Sequence, residues 1–262
     1  MNTAAVLTAF DEQLRQAGEG DGAENPEIDR ETARVLSTVR PEWAAVTWSR
    51  LNEQDADEVI AVQVHRMDRT GLDWEWKYYS YDTPADLPDR LRAAGFAEEP
   101  PETLMVADLH ELELTGVPDG VRIETVTDVA GVDRMVQVHN EVWGGDQQAW
   151  GDSLLRELAS SPDTVSAFVV MAGDQPVSTG RVNFHPGTDF ASIWGGSTVP
   201  AWRRKGLFRA LVSHRARLAI DRGYTYLRVD AAAMSRPILE RMGFEQIAVT
   251  IPFIRSVSGA SE

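Results

Sequence analysis

The sequence predicts an α/β protein of the α+β kind, a sheet flanked by helices, with a smaller α/β domain ahead of a larger one. Three observations carry this. Apolar residues recur at helical spacing in several segments, and between them lie short runs rich in Val, Ile and aromatic residues. The run Gly116-Val117-Pro118-Asp119-Gly120 is turn chemistry near the middle of the chain. The 262 residues are long for one compact α/β domain and comfortable for two small ones.

Residues 3–17 read as an amphipathic helix, with Val6, Leu7, Phe10 and Leu14 on one face. Residues 18–30 are acidic, Gly-rich and carry Pro26, as a connector would. Residues 44–51 and 73–81 read as strands, and 55–67 between them as a helix. Thr83 and Pro84 read as cap and first turn of a helix to residue 94, which Gly95 ends. Residues 103–109 form the next strand. These segments divide into a helix and connector at 1–36, a small domain at 37–118 and a larger one at 119–262.

The larger domain is regular. Strand 121–126 leads into a helix capped by Asp128 and running through 142, then a second helix at 148–159. Strands follow at 165–171, 177–184 and 191–199, joined by Gly-Asp and Pro-Gly turns. A long helix at 205–222, a strand at 224–230, a short helix at 235–242 and a strand at 247–255 complete it. One echo links the halves: Leu91-Arg-Ala-Ala-Gly95-Phe96 has the form of Leu239-Glu-Arg-Met-Gly243-Phe244. This suits either a duplicated half-domain or a common way of ending a helix on Gly with a Phe packed back.

Composition removes several classes of function. There is no cysteine, so disulfides, thiolate metal sites and acyl-cysteine intermediates are excluded. None of the five histidines falls in a metal-ligand pair spacing, so no metal is expected. No apolar run is long enough for a bilayer, and the N-terminal residues lack a leader pattern, so a cytoplasmic protein is expected, away from membranes. The net charge is −16; residues 1–118 hold 10 basic and 25 acidic side chains, residues 119–262 hold 15 and 16. The first part repels nucleic acid, which is not an expected partner, and could attract a cation.

Against this background one segment stands out. Seven of the 25 basic residues lie in 203–222, beside a single acid, Asp221. A strand ends at Val199, Pro200 breaks it, and Arg203-Arg204-Lys205-Gly206-Leu207-Phe208 opens a helix whose apolar face reads as Leu207, Leu211, His214 and Leu218. Helix starts carry unpaired N–H groups and the positive end of the helix dipole. Cations there oppose the dipole unless an anion sits among them. Gly206 lets such an anion approach the backbone, and Arg203, Arg204, Lys205 and Arg209 crowd the turn. The chemistry suits a pyrophosphate.

These residues resemble the GNAT superfamily of acyl-CoA-dependent N-acetyltransferases. Its signature, (Arg/Gln)-x-x-Gly-x-(Gly/Ala) after a strand, is similar to Arg203-x-x-Gly206-x-Phe208 after Thr198-Val199-Pro200, with Phe208 departing at the last position. A second signature, a strand and a short helix ending in Gly-Phe, is similar to 227–231, 235–242 and Gly243-Phe244. The resemblance covers 121–255 well, and residues 37–113 resemble an eroded second half. It implies a mixed, mostly antiparallel sheet, acetyl-CoA as co-substrate and an amine as acceptor, in a monomer or homodimer. It also implies that Thr198 and Val199 pair with the pantetheine arm. Residues from Arg204 through Leu207 and Phe208 to Arg209 would hold the pyrophosphate, Arg203, Arg204 or Lys205 the 3′-phosphate, and Ser235 would lie near the cofactor.

Transfer to an amine needs a neutral amine, a stabilised thioester oxygen and a protonated leaving thiolate. Where many family members carry a tyrosine as acid, this chain has Leu239. Glu141, in His139-Asn140-Glu141-Val142-Trp143, is the first candidate base, and His139 the second. Asp230, at a strand end, is a third candidate that could face inward. Ser197 is a candidate donor to the thioester, and His185 reads as loop. Trp143, Trp150, Trp194 and Trp202 suit either a pocket for an amine cation or core packing. Two functions remain: an acetyltransferase acting on an amine, or an acyl-CoA-binding protein that is non-catalytic or regulatory.

Overall fold

The computed structural model describes residues 1–17, 27–28, 35–40 and 43–257. Most of the acidic connector lies outside the described residues. The chain divides into two compact units, but not by a single cut. One comprises residues 1–105, 230–236 and 246–262; the other comprises 106–229 and 237–245. The turn at 116–120 falls inside the second unit.

The first unit opens with α1 (Thr3–Phe10), which continues as a single wider turn at Asp11–Arg15. Val6, Phe10 and Leu14 face inward, as the spacing predicts. Its strands are β1 (Glu27–Ile28), β2 (Val35–Arg40), β3 (Trp43–Ser49), β4 (Trp74–Tyr79), β5 (Ala97–Glu98) and β12 (Glu245–Arg255). The order is β1-β2-β3-β4-β12, with β5 also on β12. All pairs are antiparallel except β3 with β4. A parallel pair needs a crossover, supplied here by α2 (Ala56–Asp68). Trp74 and Trp76 alternate with Glu75 and Lys77 along β4, so the tryptophans enter the core with Ile60, Met67, Leu91, Phe96 and Phe253.

Three short strands, β1, β2 and β5, have no counterpart in the sequence pattern. The Thr83–Pro84 cap is also corrected. That peptide bond is cis, the Thr83 hydroxyl donates to the Leu51 carbonyl at 2.8 Å, and α3 (Leu87–Ala93) starts four residues after Thr83, behind Asp86. Thr83 fastens two loops instead of opening a helix.

Strand β6 (Glu102–Asp108) leads the chain from the first unit to the second. There, β7 (Arg122–Val126), β8 (Val165–Ala172), β9 (Gln175–Phe184), β10 (Phe190–Thr198) and β11 (Tyr226–Ala231) lie in the order β11-β10-β9-β8-β7. Again every pair is antiparallel but one, β10 with β11. The helix α6 (Leu207–Asp221) makes that crossover. Helices α4 (Val129–Trp143) and α5 (Gln148–Ser160) cover one face, where Val132, Met135, Val136 and Leu154 meet Ala167, Val169 and Met171. Phe168 points the other way, edge-on to His214 of α6 at 4.7 Å. Asp128 caps α4 through the Gly131 N–H at 2.8 Å, as its sequence position predicts.

The two units repeat one plan. Strand, crossover helix and parallel strand run β3-α2-β4 in the first and β10-α6-β11 in the second. A short helix follows each, α3 and then α7 (Arg236–Glu240). The Gly-Phe echo is geometric as well. The Phe96 N–H bonds the Leu91 carbonyl and the Phe244 N–H bonds the Leu239 carbonyl, both at 3.1 Å. Gly95 and Gly243 take φ of +90° and +105°, and both leucines are buried.

Candidate cofactor and acyl-transfer site

The site is built where β10 leaves its neighbours. Ladder pairs with β11 stop at Ser192↔Arg228, yet β10 runs on to Thr198. Residues past Ser192 thus keep β9 on one side and lose β11 on the other. On the β9 side the register slips between Trp194↔Arg181 and Ser197↔Thr179, a bulge containing Gly195 and Gly196. The Val199 N–H donates to Val177 at 3.1 Å, and its carbonyl accepts from the Trp202 N–H at 2.9 Å. Both main-chain groups of Val199 are therefore spent. Antiparallel alternation turns the N–H and C=O of Thr198 to the opposite, open edge. The Thr198 carbonyl there accepts Arg203 Nε at 3.1 Å.

After a turn at Pro200–Trp202, Arg204 takes φ +63°, rare for a residue with a side chain, and Gly206 takes φ +84°. Helix α6 then starts at Leu207 with no side-chain cap. Its first N–H groups have no acceptor within the helix. Arg203, Arg204, Lys205 and Arg209 are exposed around them. Lys205 Nζ rests 4.2 Å above the Trp202 ring, and Arg209 is 3.7 Å from Glu113. Leu207 is buried and anchors the helix. Phe208, the departure from the signature, is half-buried, and Gly196 gives its ring room: a Cβ there would lie 3.5 Å from Phe208 Cε2.

The bulge is held by side chains. Thr179 Oγ1 donates to the Gly195 carbonyl at 3.1 Å, and His139 Nε2 lies 3.1 Å from the same hydroxyl. His139 stacks on Trp150 at 3.9 Å. Burial pushes its imidazole down to about 4, so it is neutral at pH 7 and a weak base. Four residues on, Trp143 donates its indole N–H to Ser197 Oγ at 2.9 Å. Ser197 is buried, whereas Trp143 is 65% exposed, an unusual setting for so large an apolar ring. Ser178 bridges the Ser197 carbonyl and the Thr198 hydroxyl, both at 2.7 Å.

Several sequence candidates fall elsewhere. Glu141 is exposed two residues from both His139 and Trp143, which bond Thr179 of β9 and Ser197 of β10. Two residues turn a helix by about 200°, so its carboxylate projects from the other side. Asp230 belongs to the first unit and is tied to Lys77 at 3.0 Å. The carboxylates around Lys77, Asp230 foremost, hold its ammonium well above the ordinary lysine range despite burial. Ser235, grouped with the same unit, donates to the Ala232 carbonyl at 3.0 Å. His185 lies in the loop just after β9, as its sequence position predicts, and is buried there: its Nε2 lies 2.7 Å from Ser192 Oγ, which also accepts from Arg228. Leu239, at the usual tyrosine position, is fully buried.

Sequence reasoning missed Arg215. It follows Leu207 and Leu211 at four-residue spacing, so it shares their buried face, and this spacing was the signal available. His214 and Leu218, expected on that face, are only half-buried. The bulge at Gly195-Gly196 was signalled only by paired glycines inside a strand pattern.

Residues 133–244 match the sequence model of the acetyltransferase (GNAT) family. They form a GNAT acetyltransferase domain. A search of curated proteins finds no match. Among solved structures, a GCN5-related N-acetyltransferase from Kribbella flavida is similar at 15% identity and TM-score 0.64, over 97% of this chain and 95% of that one. A tandem GNAT protein from the clavulanic acid biosynthesis pathway is similar at 10% identity and TM-score 0.63, over 100% and 97%. A GCN5-related N-acetyltransferase from Sphaerobacter thermophilus gives 14% and 0.58, over 98% and 94%. At these identities the likeness is one of fold: helices around a large, mostly antiparallel sheet. Among the described residues no helix is long and apolar enough to cross a membrane.

Proposed function

We propose that the GNAT domain transfers an acetyl group from acetyl-CoA to an amine. The observation that carries this is the uncapped start of α6, ringed by Arg203, Arg204, Lys205 and Arg209. Such a turn is electrostatically incomplete without an anion. In this reading the N–H groups of the first turn bind the pyrophosphate, and the basic side chains take it and the 3′-phosphate. The open edge of β10 at Thr198 pairs with the pantetheine arm, displacing Arg203 from the Thr198 carbonyl. The thioester then lies along the bulge, where the Ser197 hydroxyl, accepting from Trp143, keeps its own proton to donate to the thioester oxygen. The amine loses its proton to water, since the buried His139 imidazole, pushed down to about 4, is too weak a base and Glu141 faces away. The leaving thiolate needs little help, because an ordinary thiol has a pKa of about 8.5.

Residues 37–113 are read as a second GNAT-like half that has lost its cofactor turn. The repeated β-α-β plan and the matched Gly-Phe stops support this. At the start of α2 the equivalent turn is filled from within. Asn52 and Asp55 bond each other's backbone and side chains at 2.6–3.2 Å, and Asp57 and Glu58 sit in the first turn. Those carboxylates already complement the helix dipole and repel a diphosphate.

One observation favours a second reading, an acyl-CoA-binding protein without turnover: Leu239 cannot act as an acid. Acetyl-CoA with a panel of amines, followed by thiol release, decides between them. Turnover above background with any amine supports transfer. Tight CoA binding without turnover across the panel supports the second reading, and no binding removes both.

A further inference from the structure

Arg215 lies in the middle of α6 with 1% of its surface exposed. Its Nε donates to the Leu211 carbonyl at 3.0 Å; its Nη1 donates to the Arg181 carbonyl at 3.1 Å and the Trp194 carbonyl at 3.3 Å. Among the described residues no carboxylate pairs with it, and burial alone pushes its pKa down to about 9, which still leaves it charged at pH 7. Burying an unneutralised cation is costly in any fold, and in a chain with net charge −16 a carboxylate partner would be easy to supply. A second concession serves the same guanidinium. Gly180 sits inside β9, where glycine weakens a strand, and a Cβ there would come within 2.9 Å of Nη1. Two unfavourable choices thus converge on one point. That point is the Trp194↔Arg181 pair, the last in register before the bulge.

On the reading above, the thioester lies along this bulge. We propose that Arg215 is a positioning residue for acyl transfer: its charge, fixed behind the bulge, favours the negative charge that forms on the thioester oxygen and then on the departing sulfur. The amine lone pair adds to the carbonyl carbon and the C=O π pair moves to oxygen. On collapse the C=O re-forms, the C–S bond breaks, and its pair leaves on sulfur. The amine's proton passes to water or to the thiolate. Each stage carries one negative charge near the bulge, and a fixed positive charge in a water-poor setting stabilises both.

The test is a pH titration of the CoA thiol in its complex with the full chain, read by thiolate ultraviolet absorbance. The other charged and titratable groups here are few. His214, beside Arg215 on α6, is held below its ordinary range by burial and by the neighbouring arginines. Arg181 of β9 is paired with Glu157 at 2.8 Å, Arg228 of β11 is bonded to Ser192, and His139 of α4 titrates near 4. In the wild type the bound thiol is expected to titrate below its free value. Arg215→Met should raise the midpoint by about one pH unit, a tenfold loss of thiolate at pH 7. It should lower kcat by about the same factor and leave KM for acetyl-CoA within about threefold. Arg215→Lys, which keeps the charge, should recover most of both. An Arg215→Met complex with the wild-type midpoint overturns the proposal. Should that variant not fold, Gly180→Ala, which displaces Nη1, takes its place: an upward shift supports the proposal and an unchanged midpoint overturns it. Failure of the wild type to bind CoA is a separate outcome and removes the acetyltransferase reading itself.

Discussion

The indole N–H of Trp143 and the hydroxyl of Ser197 meet at 2.9 Å, joining the last turn of α4 to the far end of β10. The bond points the Ser197 proton away from Trp143. Ser197→Ala should lower kcat by about 100-fold if that proton serves the thioester oxygen, with KM for acetyl-CoA little changed. Trp143→Phe keeps the ring and loses the donor, so a smaller loss of about fivefold is expected. Because both changes remove one interaction, the double variant should be no worse than Ser197→Ala alone. Additive losses would show that the two side chains act separately.

His139 makes stability depend on pH. Its folded pKa, about 4, lies below the value of about 6.5 in an unfolded chain. The unfolded state therefore binds more protons between these values, and stability falls as pH drops from 6.5 toward 4. Above 6.5 the contribution is constant. Over that window it amounts to roughly 2–3 kcal/mol. Denaturant unfolding at pH 7 and pH 4.5 should show a smaller pH-dependent loss in His139→Gln than in the wild type. Equal losses would mean that His139 is not buried neutral.

The parts of the site legible in the sequence were those whose chemistry is local. Arg203 to Arg209 declare themselves because cations at a helix start contradict the dipole within a few residues. Side chains set by distant partners were not legible. Asp230 is spent on Lys77, 153 positions earlier in the chain. Arg215 looks like one more basic residue on a basic helix, and only the carbonyls of Arg181 and Trp194 explain its burial. Glu141 is the first candidate because the family resemblance puts an acceptor pocket at the end of its helix, but helix geometry turns its carboxylate away from the side that His139 and Trp143 present. The sheet shows the same division. Strands with alternating patterns were found to within a few residues. β1 and β5 were missed because two residues carry no pattern, and β2 because Val35–Arg40 has no strong alternation.

Gly206 has two reasons to be glycine, and they can be separated. At φ +84° any side chain strains the backbone by roughly 1–2 kcal/mol. A Cβ would meet only Pro118 Cγ at 3.5 Å, an ordinary contact, so packing is not the obstacle. Gly206→Ala should therefore fold with a modest loss of stability. On the proposed reading it should bind CoA at least tenfold more weakly, because the methyl group would stand where the diphosphate approaches the backbone. Calorimetric titration with CoA reads this directly. Unchanged affinity in a folded variant would remove the turn from the cofactor site.

The repeated plan of the two units raises the question of how many cofactors one chain takes. A protein with two working halves would bind two. The start of α2 argues for one. Asn52 and Asp55 satisfy each other there, and Asp57 and Glu58 bring negative charge where the start of α6 presents Arg204 and Lys205. Bringing a diphosphate to α2 would oppose those carboxylates and break the Asn52–Asp55 bonds, each worth about 1 kcal/mol or more. Calorimetric titration should give one CoA per chain. Charge reversal at Arg204 and Lys205 to glutamate should abolish that binding, while Asp57→Ala with Glu58→Ala should leave the count at one. A second, weaker site exposed by the acidic-to-alanine change would show that charge alone had closed the first half. A count of two in the wild type would show that the first half had kept its function.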